Sequence, residues 1–268
     1  MAFFTTNDGV SIHYEDAGVG KPLVMIHGWD QSGRAFCNNV PALSRKYRVI
    51  TVDMRGHGDS GKPAYGYHME RLSKDLEELL EHLDLQDVTL FGWSMGCCVI
   101  YGYWDLFRDK RLSKIILCGE APLNLIQEDN PHGFIDYPGL AALADSIVKD
   151  PDTVIPGFAK GMFNKEENFE KYGDMISSES LKFPPKECAF LLKHHCYTDW
   201  RDVIPTITLP TLILAEYAET GALVKKEANQ WNHDHIPGSE MVTFDSGHLL
   251  FLEEPERFNA VVSAFMDR

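Results

Sequence analysis

Between residues 69 and 83 the apolar side chains Met69, Leu72, Leu76, Leu79, Leu80 and Leu83 recur every three or four positions, with acids and Lys74 between them. That period puts them on one face of a helix that covers a core. The pattern then changes. Residues 88–91 form a short, continuously buried-type run, which predicts a strand covered on both faces, as in a parallel sheet. Similar short runs at 23–26, 47–52, 114–118, 211–215 and 241–244 predict further strands, with a helix over 32–44 after the first of them. At the start of the chain, runs at 3–6 and 11–16 flank Asn7-Asp8-Gly9, a hairpin signal. Strands separated by helices imply right-handed crossovers, and hence an α/β fold with a mostly parallel sheet.

After Glu120 the alternation stops. Residues 122–205 contain helix-like pieces at 139–149, 152–163 and 186–197, punctuated by Pro138, Pro151, Pro184 and Pro185, and no convincing strand. Ordinary covering helices would be separated by strands, so this stretch predicts a helical lid inserted into the sheet domain. The expected organisation is a core over 1–121, a lid over 122–205 and the rest of the core over 206–268. Near the end, a helix over 224–235 is followed by the strand at 241–244, and Pro255 suits the first turn of a final helix.

Composition narrows the class. With 44% hydrophobic and 24% charged residues in 268, the chain can build a large core. A formal net charge of −15 disfavours nucleic acid and anionic membrane as partners. No apolar stretch is long enough to span a bilayer, and the first residues lack the basic-then-apolar pattern of a signal peptide. The six cysteines form no Cys-x-x-Cys pair, and Cys97, Cys98 and Cys118 fall in predicted core elements, which suits reduced thiols in the cytoplasm. His233-Asp234-His235 offers two metal ligands without a third, and no glycine-rich phosphate loop is present. No metal and no organic cofactor is therefore expected.

The candidate chemistry lies where the 88–91 strand runs through Gly92-Trp93-Ser94-Met95-Gly96 into a helix. A turn this sharp strains its central residue and lifts the Ser94 hydroxyl above the sheet edge, while the positions two before and two after have no room for side chains. Ser94 is the expected nucleophile, and the helix N-terminus beside it favours developing negative charge.

Four motifs in this order resemble those of the α/β-hydrolase superfamily over nearly the whole chain. They are His27-Gly28-Trp29, Asp53-Met-Arg-Gly-His-Gly-Asp-Ser60, Gly92-Trp-Ser-Met-Gly96, and Ser246-Gly-His248 ahead of Glu253-Glu-Pro-Glu256. The wording around Trp29 and Trp93 looks most like the branch of lidded esterases and cofactor-free haloperoxidases. The resemblance implies His248 as general base, and an oxyanion hole made by the backbone N–H groups of Trp29 and Met95. It places the triad acid at Glu219, where the family pattern has Asp. Glu120, after the preceding strand, competes for the role, and Glu216 is a third candidate. His27 and His57 would make structural hydrogen bonds, as would Asp53 and Arg55, whereas His194, His195, His233 and His235 would be solvated on helices.

The function implied is a serine hydrolase that acts on a small to medium carboxylic ester, lactone or thioester through an acyl-enzyme. Phe134, Tyr137, Phe158, Met162, Phe163 and Trp200 are candidate pocket residues and favour a largely uncharged small-molecule substrate. The same residues would serve a carbon–carbon bond hydrolase or a perhydrolase. Related dehalogenases and epoxide hydrolases use Asp where this chain has Ser94. A non-catalytic ligand receptor on the same fold is the remaining alternative.

Overall fold

Asn7-Asp8-Gly9 turns the chain between two antiparallel strands, β1 (Ala2–Thr5) and β2 (Ser11–Ala17), with Gly9 at φ 87° in the region that suits glycine. A computed structural model provides the coordinates and describes residues 2–217, 219 and 221–268. After β3 (Pro22–Ile26) the single helix expected over 32–44 is replaced by two short pieces. These are a 3₁₀ turn over Gly33–Phe36, capped by the Ser32 hydroxyl, and α1 (Val40–Leu43). Pro41 lacks the N–H that a continuous helix would need there, so the helix restarts instead of running through.

Alternating strands and helices follow: β4 (Arg48–Val52), α2 (Met69–His82), β5 (Val88–Trp93), α3 (Met95–Phe107) and β6 (Leu112–Cys118). Between β6 and the next strand come four helices: α4 (Tyr137–Lys149), α5 (Pro151–Gly161), α6 (Glu166–Ser180) and α7 (Pro185–Tyr197). Three of them match the expected pieces; α6 was not foreseen. Its sequence alternates acids, serines and Gly173 with few apolar residues, so it has little hydrophobic period to read. The chain returns to the sheet with β7 (Thr211–Glu216), α8 (Lys226–His235), β8 (Glu240–Phe244), α9 (Leu250–Glu253) and α10 (Pro255–Met266).

Eight strands among the described residues form one sheet in the order β1-β2-β4-β3-β5-β6-β7-β8, antiparallel at β1, β2 and β4 and parallel from there on. Side-chain alternation divides the core between the two faces. In β3, Val24 and Ile26 join one cluster with residues of α2 and α3, while Leu23 and Met25 join another with Phe258, Val262 and Phe265 of α10. The chain leaves β3 for β4 on one side and returns as β5 on the other, so the strand order reverses between β3 and β5. In open α/β sheets, ligands bind beyond the carboxyl ends of the strands at such a point. Trp29 follows β3 and Ser94 follows β5. No helix of the described residues is long and apolar enough to cross a membrane.

Candidate active site

Ser94 sits between β5 and α3 with φ 52° and ψ −126°, a conformation a side chain adopts only when its surroundings enforce it. The enforcement is steric. A Cβ on Gly92 would lie 2.6 Å from the carbonyl of Gly96, and a Cβ on Gly96 would lie 2.4 Å from the Ile26 oxygen in β3. Both glycines are therefore required by close backbone approach, and α3 packs hard against the end of β3. Gly28 plays a related part on the other side, since a Cβ there would come 3.1 Å from the Ser94 Cβ.

Two backbone donors flank the serine. Met95 is the first residue of α3, so its N–H has no acceptor within the helix. Among the described residues neither it nor the Trp29 N–H donates to any protein group. The loop carrying Trp29 is fixed from below and above. His27 Nε2 accepts the Met54 N–H at 3.0 Å, and the Trp29 indole donates to the Cys188 carbonyl of α7 at 3.0 Å. From α6, Glu179 accepts the Ser32 hydroxyl and pairs with Arg34. The next loop is held through Asp53 and Arg55. Burial opposes the Asp53 charge, but His13 and the N–H groups of Asp59 and Gly33 hold its carboxyl down at about 2. Arg55 is fully buried and pairs with Asp75 and Asp8.

His248 arrives from beyond β8. Its backbone N–H donates to the Met162 and Gly221 carbonyls at 2.9 and 2.8 Å, and its carbonyl accepts the Trp93 indole N–H at 2.9 Å. Glu253 ties this loop to the helices above, because its carboxylate accepts N–H bonds from Gly247, Asn164 and the Asn168 side chain. The imidazole Nδ1 donates to Glu216 Oε1 at 2.9 Å. That oxygen also accepts the Leu223 and Val224 N–H groups at 2.8 and 2.9 Å. His248 Nε2 and Ser94 Oγ bond to no described protein group, and both residues line one cavity.

The carboxylate beside His248 is thus Glu216, and two expectations need correction. Glu219 is exposed in the loop beyond β7. The strand ends at Glu216, and its longer side chain reaches the imidazole directly from the last strand position, so no acid three residues further on is required. Glu120 is buried and lines the cavity, but its carboxylate is engaged by His195 Nε2 at 2.8 Å, by Asn124 and by the Ala121 N–H. His195, expected on a solvated face, is 6% exposed for the same reason. His233 and His235 do not converge: one meets Ser239 and the other stacks on Trp231.

The cavity lies between the strand ends and helices α5 and α7. Of the expected pocket residues, Phe134, Phe158 and Met162 line it. Tyr137 is largely exposed, and Phe163 and Trp200 are buried away from it. Leu192, Leu223 and Val224 complete the apolar wall. Sequence reasoning placed Glu216 third among the carboxylates expected beside His248 and did not assign Asn124 or His195 to the pocket. Position was the available signal for Glu216: an acid ending an apolar strand, at the edge where α/β sheets bind ligands.

A strained serine at a strand-to-helix turn, beside free N–H groups and an imidazole buttressed by a carboxylate, is the arrangement that marks α/β-hydrolase enzymes. The comparisons agree. Residues 21–255 match the model of the alpha/beta hydrolase fold family. A bromoperoxidase structure from Bacillus anthracis superposes with a TM-score of 0.94 at 30% identity, covering 100% of this chain and 99% of that one. An esterase from Exiguobacterium antarcticum gives 0.94 at 31% identity, covering 99% of both. The non-heme chloroperoxidase CPO-A1 of Kitasatospora aureofaciens is 28% identical over the full length of both chains. The chain belongs to the α/β-hydrolase family and is an enzyme of that class.

Proposed function

We propose that the protein is a serine hydrolase of small to medium, largely uncharged carboxylic esters, with the four helices between β6 and β7 as a lid. One observation carries this reading: Ser94, at φ 52°, lines the same cavity as His248, whose Nδ1 is held by Glu216. Ser94 Oγ attacks the ester carbonyl while His248 Nε2 takes its proton, and the carbonyl oxygen becomes the oxyanion between the Trp29 and Met95 N–H groups. Collapse expels the alcohol, which receives the proton from His248. Water then attacks the acyl-Ser94, again deprotonated by His248, and the acid leaves. Glu216 keeps the imidazole in the tautomer that leaves Nε2 free to accept, and stabilises the imidazolium that forms.

Ser94→Ala should abolish turnover of p-nitrophenyl esters and labelling by a fluorophosphonate while thermal unfolding stays near that of the parent. Unchanged turnover in that variant removes Ser94 from the mechanism. Silence of the parent toward both reagents favours a non-catalytic receptor. The likeness to a bromoperoxidase and a chloroperoxidase supports a second reading, in which hydrogen peroxide replaces water at the acyl-enzyme and a peracid leaves. Peracid formation from acetate and peroxide, lost in the same variant, is its test.

A further inference from the structure

His68, Glu70 and His194 meet at the surface where α7 touches the start of α2, and the acyl-transfer steps use none of them. Each offers one ligand atom, and the three atoms lie within 4.8 Å of one another. His68 Nδ1 donates to Glu70 Oε2 at 2.9 Å, and His194 Nε2 stands 3.8 Å from the same oxygen, too far for a hydrogen bond. With bonds of about 2.0–2.1 Å to a tetrahedral ion, neighbouring ligand atoms sit about 3.3 Å apart, so small side-chain rotations would seat a cation among these three. Water reaches the group, since the side chains of His68, Glu70 and His194 are 46%, 52% and 28% exposed. Among the described residues Glu70 has no lysine or arginine partner, and its ion-pair contacts are the two imidazoles. The adjacent cation Arg71 is bound instead by Asp75 and Glu78. His68 holds the N-cap position of α2 but makes no cap bond, its ring being turned to Glu70.

A metal binds neutral imidazole through a bare nitrogen. At His68 the ion takes the place of the hydrogen between Nδ1 and Glu70, and that hydrogen passes through water to Nε2. At His194, Nδ1 lies 3.3 Å from Thr198 Oγ1, whose own hydrogen is committed to the His194 carbonyl at 2.7 Å. Thr198 can therefore accept an Nδ1–H, which leaves the Nε2 lone pair directed to the ion and orients the ring from behind. Only the 3.4 Å contact from the Met69 N–H is given up. The dipole at the start of α2 opposes a cation, and the Glu70 charge in its first turn offsets that. Two other groups of ligating residues, Cys98 with Glu120 and His195, and His13 with Asp53 and Asp59, lack this freedom. Glu120 is already engaged by Ala121, Asn124 and His195, and Asp53 by Gly33, Asp59 and His13, so an ion would have to displace those bonds.

We propose that His68, Glu70 and His194 form a surface site for a divalent transition cation of the zinc class, which ties α7 to α2. Two imidazole nitrogens and one carboxylate oxygen suit zinc, with water in the fourth position, whereas magnesium and calcium demand more oxygen ligands. Helix α7 supplies Leu192 and Cys196 to the cavity wall and the Cys188 carbonyl to the Trp29 indole, so the ion braces that wall against the core. The ligands stand far apart in the chain and leave no local spacing, unlike His233 and His235. The inference is independent of the esterase reading, because binding is read without turnover.

The test uses tag-free protein stripped of metal by a chelator. Calorimetry with zinc chloride should show one tight site per chain. Zinc at about a hundred times its dissociation constant should raise the thermal midpoint by about 5 °C, and magnesium and calcium should leave it unchanged. His68→Ala, Glu70→Gln and His194→Ala should each weaken zinc by about tenfold or more, while His233→Ala binds as the parent does. All four changes lie at the surface, so the metal-free midpoints should stay close to the parent's. Hydrogen exchange should slow with zinc both at 66–70 and at 190–198, as a bridge between the two helices requires. Cobalt(II) in place of zinc should show visible bands without a thiolate charge-transfer band. Absence of zinc binding, equal affinity in the parent and the three ligand variants, or protection of one helix alone overturns the inference. A thiolate band does so too, since it would place the ion at a cysteine.

Discussion

Replacing Asp30 by Asn should flatten the pH dependence of stability, and the size of the effect can be worked from its surroundings. Asp30 follows Trp29, is 1% exposed, and has no salt-bridge partner among the described residues. Burial pushes its carboxyl up to about 7, and hydrogen bonds from Ser180 and Gln31 offset only part of that. The unfolded chain ionises at the ordinary value of 3.8. A raised folded value means that the folded state binds more protons over this interval, so the stabilisation is complete below about pH 4 and is lost as pH rises through about 7. The rise corresponds to about 4 kcal/mol in all, of which roughly 2–3 kcal/mol falls between about pH 5 and about pH 8. Asn has nearly the same shape, tolerates the φ of 58° found here, and does not ionise. Urea unfolding of parent and variant at these two pH values isolates the group, because every other titration cancels in the difference. The stability of Asp30→Asn relative to the parent should rise by roughly 2–3 kcal/mol from the lower pH to the higher. Parallel profiles would show that Asp30 ionises freely in the fold, and the reasoning from burial would be refuted.

Two further outcomes test the site itself. Glu216→Ala leaves His248 Nδ1 and two backbone N–H groups without their acceptor, so kcat on esters should fall by roughly 10³–10⁴-fold, while Glu219→Ala stays within about twofold of the parent; steady-state kinetics that reverse this order would return the acid to the loop. Gly96→Ala drives a methyl to 2.4 Å from the Ile26 carbonyl, so β3 and α3 must part and Ser94 must move. Thermal unfolding should show a loss of about 2–4 kcal/mol with kcat down by about 10²-fold, whereas Gly157→Ala, with nothing within 4 Å of the new methyl, should be neutral or slightly stabilising.

What the sequence made legible was whatever a local period or a steric demand could encode. The run at 88–91 and the Gly92, Gly96 pair predicted a strand, a turn and a helix, and the close contacts at both glycines are the reason those letters are needed. Helix α6 escaped because its buried residues include Glu179 and Ser180, which are held by hydrogen bonds to Ser32, Arg34 and Gln31 and not by an apolar stripe. Such bonds join residues nearly 150 positions apart and leave no local trace. His195 was misplaced for the same reason: on α7 it reads as a polar position, and only the arrival of Glu120 from the end of β6 makes a buried ion-bonding partner of it.

The placement of the acid at Glu216 follows from a neighbour. Strands β6 and β7 are paired in parallel, so their ends, Gly119-Glu120 and Glu216, lie side by side. A Cβ on Gly119 would fall 2.4 Å from Glu216 Oε2 and 3.2 Å from His248 Nδ1. Only a residue without a side chain lets the carboxylate of β7 pass over the end of β6 to the imidazole, and Gly119 also holds φ 59°, which favours glycine again. The extra methylene of Glu over Asp then spans from strand end to ring, and the loop beyond is free to fold back so that the Leu223 and Val224 N–H groups bind the same oxygen. The turn at Gly119 sends Glu120 to its own imidazole instead. Two carboxylates at adjacent strand ends thus hold two histidines in separate places, His248 in the cavity that Ser94 also lines and His195 on its polar wall.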